Sequence, residues 1–134
     1  MSRSRSETHT RAWQILTIVL GLHVADEALT GFLDFYNTFV LSLRPAWSPF
    51  PPTLTFDVWL AGLIVLVIVL LLLTPWIRRG GTGPRVASWI FAVIMFLNGC
   101  AHLLGSVYFW RWLPGATTGP LLLIAGVYLA RSIR

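Results

Sequence analysis

Apolar residues form four long runs along the chain, and polar or proline-rich segments separate them. The second run, from about residue 56 to 77, is almost free of polar residues, and its length matches a hydrocarbon core of about 30 Å. The other runs cover about residues 11–43, 86–112 and 118–133. Prolines and glycines between the runs favour turns over continued helix. The pattern predicts an all-α fold, a four-helix transmembrane bundle over residues 11–134 that follows a disordered polar tail, residues 1–10, in which His9 is solvated.

Composition supports a membrane protein. Hydrophobic residues make up 56% of the chain and charged residues 11%, whereas soluble domains carry roughly 25% charged residues. The net charge of +5 comes from arginines that flank the apolar runs, so we exclude nucleic acid as a partner and expect a lipid bilayer. Most arginines lie in the first eleven residues, in the 78–85 loop and at the C-terminus. The positive-inside rule therefore places both termini of a multi-pass membrane protein in the cytoplasm.

Polar residues interrupt the outer half of the first run. At 100° per residue, His23, Asp26, Glu27, Thr30 and Asp34 share one helical face within an arc of about 100°. An ionised side chain at mid-bilayer costs about 2.5–3.5 kcal/mol even on a lenient insertion scale. These side chains are therefore expected to face the bundle interior, where Thr30 and Asp34 would form an outward path and Asp34 would tune the charge at its mouth.

A second polar pair lies on the third helix at a similar depth. Asn98 and His102 share a face there, about as far from the flanking arginines as His23 and Glu27 are on helix one. Imidazole and carboxylate are good ligands for Zn²⁺ or Fe²⁺, so we expect His23, Glu27 and His102 to hold a divalent cation. Asp26 would be a ligand or general base, and Asn98 a polarising donor. Metal-free acid/base catalysis by the same residues and a purely structural hydrogen-bond network remain open alternatives.

Three short motifs resemble those of the HXXEE family of bacterial membrane proteins. They read His23-Val-Ala-Asp26-Glu27, Asn98-Gly-Cys-Ala-His102 and Pro114-Gly115-Ala-Thr-Thr118, in that order along the chain. The resemblance implies a location in the bacterial inner membrane. It also implies an enzymatic role, which has been suggested for the family from its motifs, although no reaction has been established. Asp26 stands where the family has its first glutamate. The His-x-x-x-Glu spacing is also similar to that of the sterol-isomerase-like membrane family, which supplies an analogy of mechanism.

These observations predict an intramembrane enzyme that acts on a lipophilic or amphipathic molecule. The expected reaction is metal-assisted hydrolysis or acid/base chemistry between helices one and three. A metal-free enzyme of the isomerase or cyclase type and a small proton-coupled transporter are the alternatives, and the oligomeric state is left open. Pro114, Gly115 and Thr118 are expected to shape the outer turn, with Thr118 capping helix four.

Overall fold

The computed structural model describes residues 3–133, with side chains from Arg5 onward. Within that part of the chain all regular structure is helical, as the sequence predicts. The helices are α1 (Arg3–Thr30), α2 (Phe32–Leu43), α3 (Phe56–Leu72), α4 (Thr74–Arg79), α5 (Thr82–Tyr108) and α6 (Gly119–Ser132). Three segments are long and apolar enough to cross a membrane, namely Arg5–Thr30, Phe56–Arg79 and Thr82–Tyr108, while α6 is shorter. The chain therefore has the composition and helix lengths of a membrane protein.

The predicted tail, residues 1–10, is helical from Arg3, and its first two residues lie outside the described part of the chain. His9 was expected to be solvated, but it is 2% exposed, and its Nε2 lies 2.8 Å from the hydroxyl of Ser88 on α5. Ser6 donates a hydrogen bond to the carbonyl of Arg78. These contacts with α4 and α5 stabilise the polar start of α1, which composition alone does not indicate.

The predicted first helix, residues 11–43, is two helices. Gly31 separates α1 from α2 with a φ of +81°, a left-handed conformation that costs other residues about 1–2 kcal/mol. The helix is therefore broken about one turn after Glu27.

The other helix limits also differ from prediction. The predicted helix 56–77 is divided at Leu73, next to Pro75, because proline lacks the N–H that a continuous helix needs. Helix α5 begins at Thr82 and not at 86, so the predicted loop 78–85 is reduced to residues 80–81. The helix ends at Tyr108 and not at 112, and Trp110 follows with a φ of +50°. Helix α6 covers Gly119–Ser132, close to the predicted 118–133.

Small residues allow α5 and α6 to pack closely. A Cβ added to Gly99 would lie 2.6 Å from the carbonyl oxygen of Gly119, and one added to Gly126 would lie 3.1 Å from that of Ala92. Such close approach is typical of helix pairs in membranes. The packing brings the start of α6, and the turn before it, against α1 and α5.

The apolar core fills the half of the bundle near the N-terminus of α1. Trp13 contacts two other helices within this core. Its ring packs edge-on against Phe91 of α5, with centroids 5.0 Å apart, and its indole N–H donates a hydrogen bond to the carbonyl of Leu70 on α3. Leu16 and Leu20 of α1 are buried in the same cluster. The polar face of α1 begins directly beyond this cluster, at His23.

Candidate metal centre

Three buried side chains from α1 and α5 meet at one point. His102 Nε2 lies 3.0 Å from Glu27 Oε1, His23 Nε2 lies 3.4 Å from the same oxygen, and the two Nε2 atoms are 3.3 Å apart. His23 is fully buried, and Glu27 and His102 are 5% and 6% exposed. The i, i+4 spacing on α1 puts His23 and Glu27 on one face. Helix α1 therefore supplies two of the three side chains, and α5 supplies the third.

The orientation of His102 is fixed by the turn before α6. Its Nδ1 lies 2.7 Å from the carbonyl oxygen of Pro114, and a carbonyl can only accept a hydrogen bond. The proton of neutral His102 is therefore on Nδ1. The lone pair on Nε2 then points toward Glu27 and His23.

His23 is fixed in the same tautomer through Thr118. Its Nδ1 lies 2.7 Å from the Thr118 hydroxyl, and that hydroxyl lies 2.8 Å from Asp26 Oδ2. A carboxylate oxygen accepts, so Thr118 donates its single hydroxyl proton to Asp26 Oδ2. Thr118 must then accept from His23 Nδ1, so the Nε2 lone pair of His23 also faces the site.

The three facing atoms are therefore all electron-pair donors. Two imidazole nitrogens and a carboxylate oxygen within 3.4 Å of one another repel unless a metal cation or a shared proton lies between them. A tetrahedral zinc ion with ligand bonds of about 2.0–2.1 Å separates its ligand atoms by about 3.3 Å, which agrees with the distances here. The group can thus hold a metal ion. Three protein ligands would leave a fourth position open, as in catalytic zinc sites.

Gly115 is required where the turn passes the two imidazoles. Its φ is +82°, and a Cβ built there would lie 2.6 Å from His102 Cε1, 2.7 Å from His102 Nδ1 and 3.0 Å from His23 Cε1. Any side chain would push the rings from their positions. The Pro-Gly-x-x-Thr motif is therefore a wall of the site, buried at Gly115 and Ala116. The sequence predicted only that its turn shapes the outer surface.

Two cavities adjoin the site on the side of α2. A cavity of about 240 Å³ includes Glu27 in its lining, and a larger one of about 630 Å³ includes Pro114. Both are bordered by Gly31 and Asp34. We call the larger one the outer cavity, and its remaining lining is Thr30, Phe35, Thr38, Phe39, Ser42, Phe109, Arg111 and Trp112. The break at Gly31 thus borders a cavity that Glu27 also lines.

Aromatic side chains form one wall of the outer cavity. Phe35, Phe39 and Phe109 pack against one another with centroids 5.5–6.0 Å apart. The guanidinium of Arg111 lies 5.3 Å from the Phe35 ring. Phe32, the first residue of α2, packs on His102, with ring centroids 5.4 Å apart. The sequence pattern did not predict a role for Arg111 in a site.

Asp26 and Thr118 have different contacts from those expected. Asp26 is outside the group of three potential ligands; its Oδ2 accepts hydrogen bonds from both the amide and the hydroxyl of Thr118. Thr118 does not cap α6 with its side chain, because the hydroxyl is used by Asp26 and His23. Residue 26 was considered as a ligand because it shares the helical face, but its carboxylate reaches the α6 turn.

The remaining predicted residues are near the site without joining it. Thr30 donates to the backbone carbonyl of Asp26 at 2.6 Å and lines the outer cavity. Asp34 is exposed and borders both cavities, as a residue at the mouth should. Asn98 lies one turn before His102 on α5, and no hydrogen bond joins it to the three ligands in the described part of the chain. Its role as a donor stays a prediction.

Comparisons with known proteins supply a family. No curated protein and no solved structure matches the chain. A family model described as "Protein of unknown function with HXXEE motif" matches residues 14–129, which include both helices of the site and the turn that fixes them. The chain therefore belongs to the HXXEE family.

Proposed function

We propose that the protein is a four-crossing integral protein of the bacterial inner membrane with both termini in the cytoplasm. Its arginines support this orientation, because most lie near the termini or beside the turn between α4 and α5. Helix α6 has 14 residues and spans only about 21 Å. The turn at residues 114–118 would complete that crossing. Non-helical backbone is tolerated at membrane depth where protein buries it, and Gly115 and Ala116 are buried.

Within that bundle, we infer that His23, Glu27 and His102 bind a divalent cation, Zn²⁺ or Fe²⁺. The single observation that carries the inference is the convergence of three lone pairs, with both imidazole tautomers set by a second hydrogen bond. Histidine ligands in metal sites commonly have such outer partners. Here Pro114 and Thr118 supply them. When bound, the cation would provide Lewis acidity toward a substrate oxygen or a water molecule.

The proposed activity is hydrolysis of a lipophilic or amphipathic molecule. The outer cavity supports an amphipathic substrate, because phenylalanine rings form one wall while Asp34, Arg111 and Thr30 contribute polar groups. The smaller cavity would admit the reacting bond to Glu27. Asp26 and Thr118 would hold His23 in its ligand tautomer, and Asn98 would polarise the substrate.

A metal-free acid/base enzyme is the second candidate. A proton shared between His102 Nε2 and Glu27 Oε1, 3.0 Å apart, would also relieve the repulsion among the three donors. An enzyme of the isomerase or cyclase type could then use Glu27 as the base and His102 as the acid. The two candidates differ in their response to chelation, because only the hydrolase would lose its activity when the metal is removed.

Metal content tests the preferred candidate. Protein purified in detergent should carry about one zinc or iron ion per chain, and Glu27→Gln should carry much less. Asp57→Asn is the matched control, because it also neutralises a carboxylate, on an exposed position of α3. Wild-type protein that neither retains nor takes up either metal would refute the metal-dependent function and favour the acid/base enzyme.

A further inference from the structure

A groove at the other end of the bundle has no part in the proposed chemistry. It lies between the start of α1 and the end of α3 with α4, and its volume is about 750 Å³. We call it the basic groove, and its lining is Glu7, Thr10, Arg11, Gln14, Leu71, Thr74, Pro75, Arg78 and Arg79. Gln14 is nine residues before His23, which corresponds to about 14 Å along the helix. A ligand in this groove would therefore not touch the candidate metal centre.

The groove carries an excess of positive charge. Three arginines against one glutamate give a net charge of +2. Arg11, Arg78 and Arg79 are all exposed. Within residues 5–133, none of the three lies within ion-pair distance of a carboxylate. The guanidinium groups are thus available to an anion from outside the chain, and guanidinium binds phosphate oxygens in bidentate geometry.

The same groove has an apolar side. Leu71 lies near the end of the long apolar helix α3, and Pro75 follows it on α4. Leu72, which is next to the groove in sequence, is 73% exposed. The lining therefore changes from lipid-facing apolar side chains to arginines over about two helical turns. A free inorganic anion would contact only the arginines, whereas an amphipathic anion would contact both the arginines and the apolar side chains.

We propose that the basic groove binds an anionic glycerophospholipid from the surrounding membrane. Its phosphate would contact Arg11, Arg78 and Arg79, and the upper part of an acyl chain would lie along Leu71 and Pro75. Basic pockets between membrane helices on the cytoplasmic side are suited to such headgroups. The bound lipid would join α1 to α4 in addition to their direct packing.

The test is lipid retention by the purified full chain in native mass spectrometry, with phosphatidylglycerol and phosphatidylcholine added at equal concentration. Wild-type protein should retain phosphatidylglycerol preferentially. Each arginine near an anionic phosphate contributes about fivefold in affinity, so Arg78→Gln with Arg79→Gln should lower retention by about 25-fold. Arg11→Gln, from a different helix, should lower it by about fivefold. The single variant provides a second measurement if the double variant does not fold.

A second basic surface at the same end gives a matched control. Arg5 and Arg131 line a smaller pocket without apolar side chains. Replacing both with glutamine removes two positive charges, as many as the Arg78 and Arg79 double variant removes. That variant should retain phosphatidylglycerol like wild type. Equal losses from both double variants would overturn the proposal, because net charge would then explain the binding. Displacement of the lipid by millimolar inorganic phosphate would also overturn it, in favour of a simple anion site.

Discussion

Replacing Gly115 with alanine should disturb the two histidines directly. The added Cβ would lie 2.6 Å from His102 Cε1 and 3.0 Å from His23 Cε1, closer than carbon atoms pack. The left-handed backbone at φ +82° adds about 1–2 kcal/mol of strain for a non-glycine residue. Overpacking in a filled interior costs a further 1–3 kcal/mol, roughly. The total destabilisation is therefore about 2–5 kcal/mol.

Gly115→Ala should lower the metal affinity by more than backbone strain alone would. To relieve the clash, His102 must move away from the Pro114 carbonyl, and disruption of such an outer contact typically costs about 10–100-fold in metal affinity. Gly31→Ala separates the two effects, because Gly31 has nearly the same φ, +81°, with nothing within 4 Å of an added Cβ. Both variants should be destabilised by strain, but only Gly115→Ala should also lose metal affinity.

The assay is a zinc titration by isothermal calorimetry in detergent, combined with thermal unfolding of the metal-free protein. Gly115→Ala is expected to bind zinc about 10–100-fold more weakly than wild type, and Gly31→Ala about as tightly as wild type. If the two variants bind zinc equally well, Gly115 has no special role beside the imidazoles. The arrangement of the turn described above would then be refuted.

Three further outcomes follow from the contacts around the site. Thr118→Val should weaken zinc binding by about 10–100-fold because the His23 tautomer loses its acceptor, whereas Thr118→Ser should restore it; equal affinities in a titration would contradict the relay from Asp26. Ser88→Ala should lower the unfolding free energy by about 1–3 kcal/mol, since the buried His9 loses its partner, and should leave metal content unchanged; unaltered thermal stability would count against this contact. Zinc affinity should fall steadily as the pH is lowered, because protons compete for the two imidazoles and the carboxylate; affinity independent of pH between about 5 and 8 would argue against histidine ligands.

Helical periodicity was enough to predict that His23, Glu27 and His102 lie together. His23 and Glu27 are one turn apart on a regular helix, so their common face follows from the sequence. The depth of His102 follows from counting residues along a second apolar helix. Both inferences depend only on the repeat of an α-helix, and neither α1 nor α5 is interrupted between the flanking arginines and these residues.

The features that the sequence did not predict depend on contacts between residues that are far apart in the chain. Pro114, Gly115 and Thr118 have an ordinary turn composition, which gives no sign that their turn is buried between α1 and α5. Asp26 shares the face of His23, and only the position of the α6 turn shows that it bonds to Thr118. In the same way, the polar start of α1 resembles a disordered tail until Ser88 of α5 is placed beside it.

The central claim is that His23, Glu27 and His102 hold one divalent cation. X-ray absorption spectroscopy of the purified protein, with one equivalent of zinc supplied, measures the ligands directly. The expected spectrum has imidazole nitrogen and carboxylate oxygen ligands at about 2.0–2.2 Å and no sulfur shell, and this signature should be absent from His102→Ala. A spectrum of hydrated zinc in wild type, or the same imidazole signal in the variant, would contradict the claim.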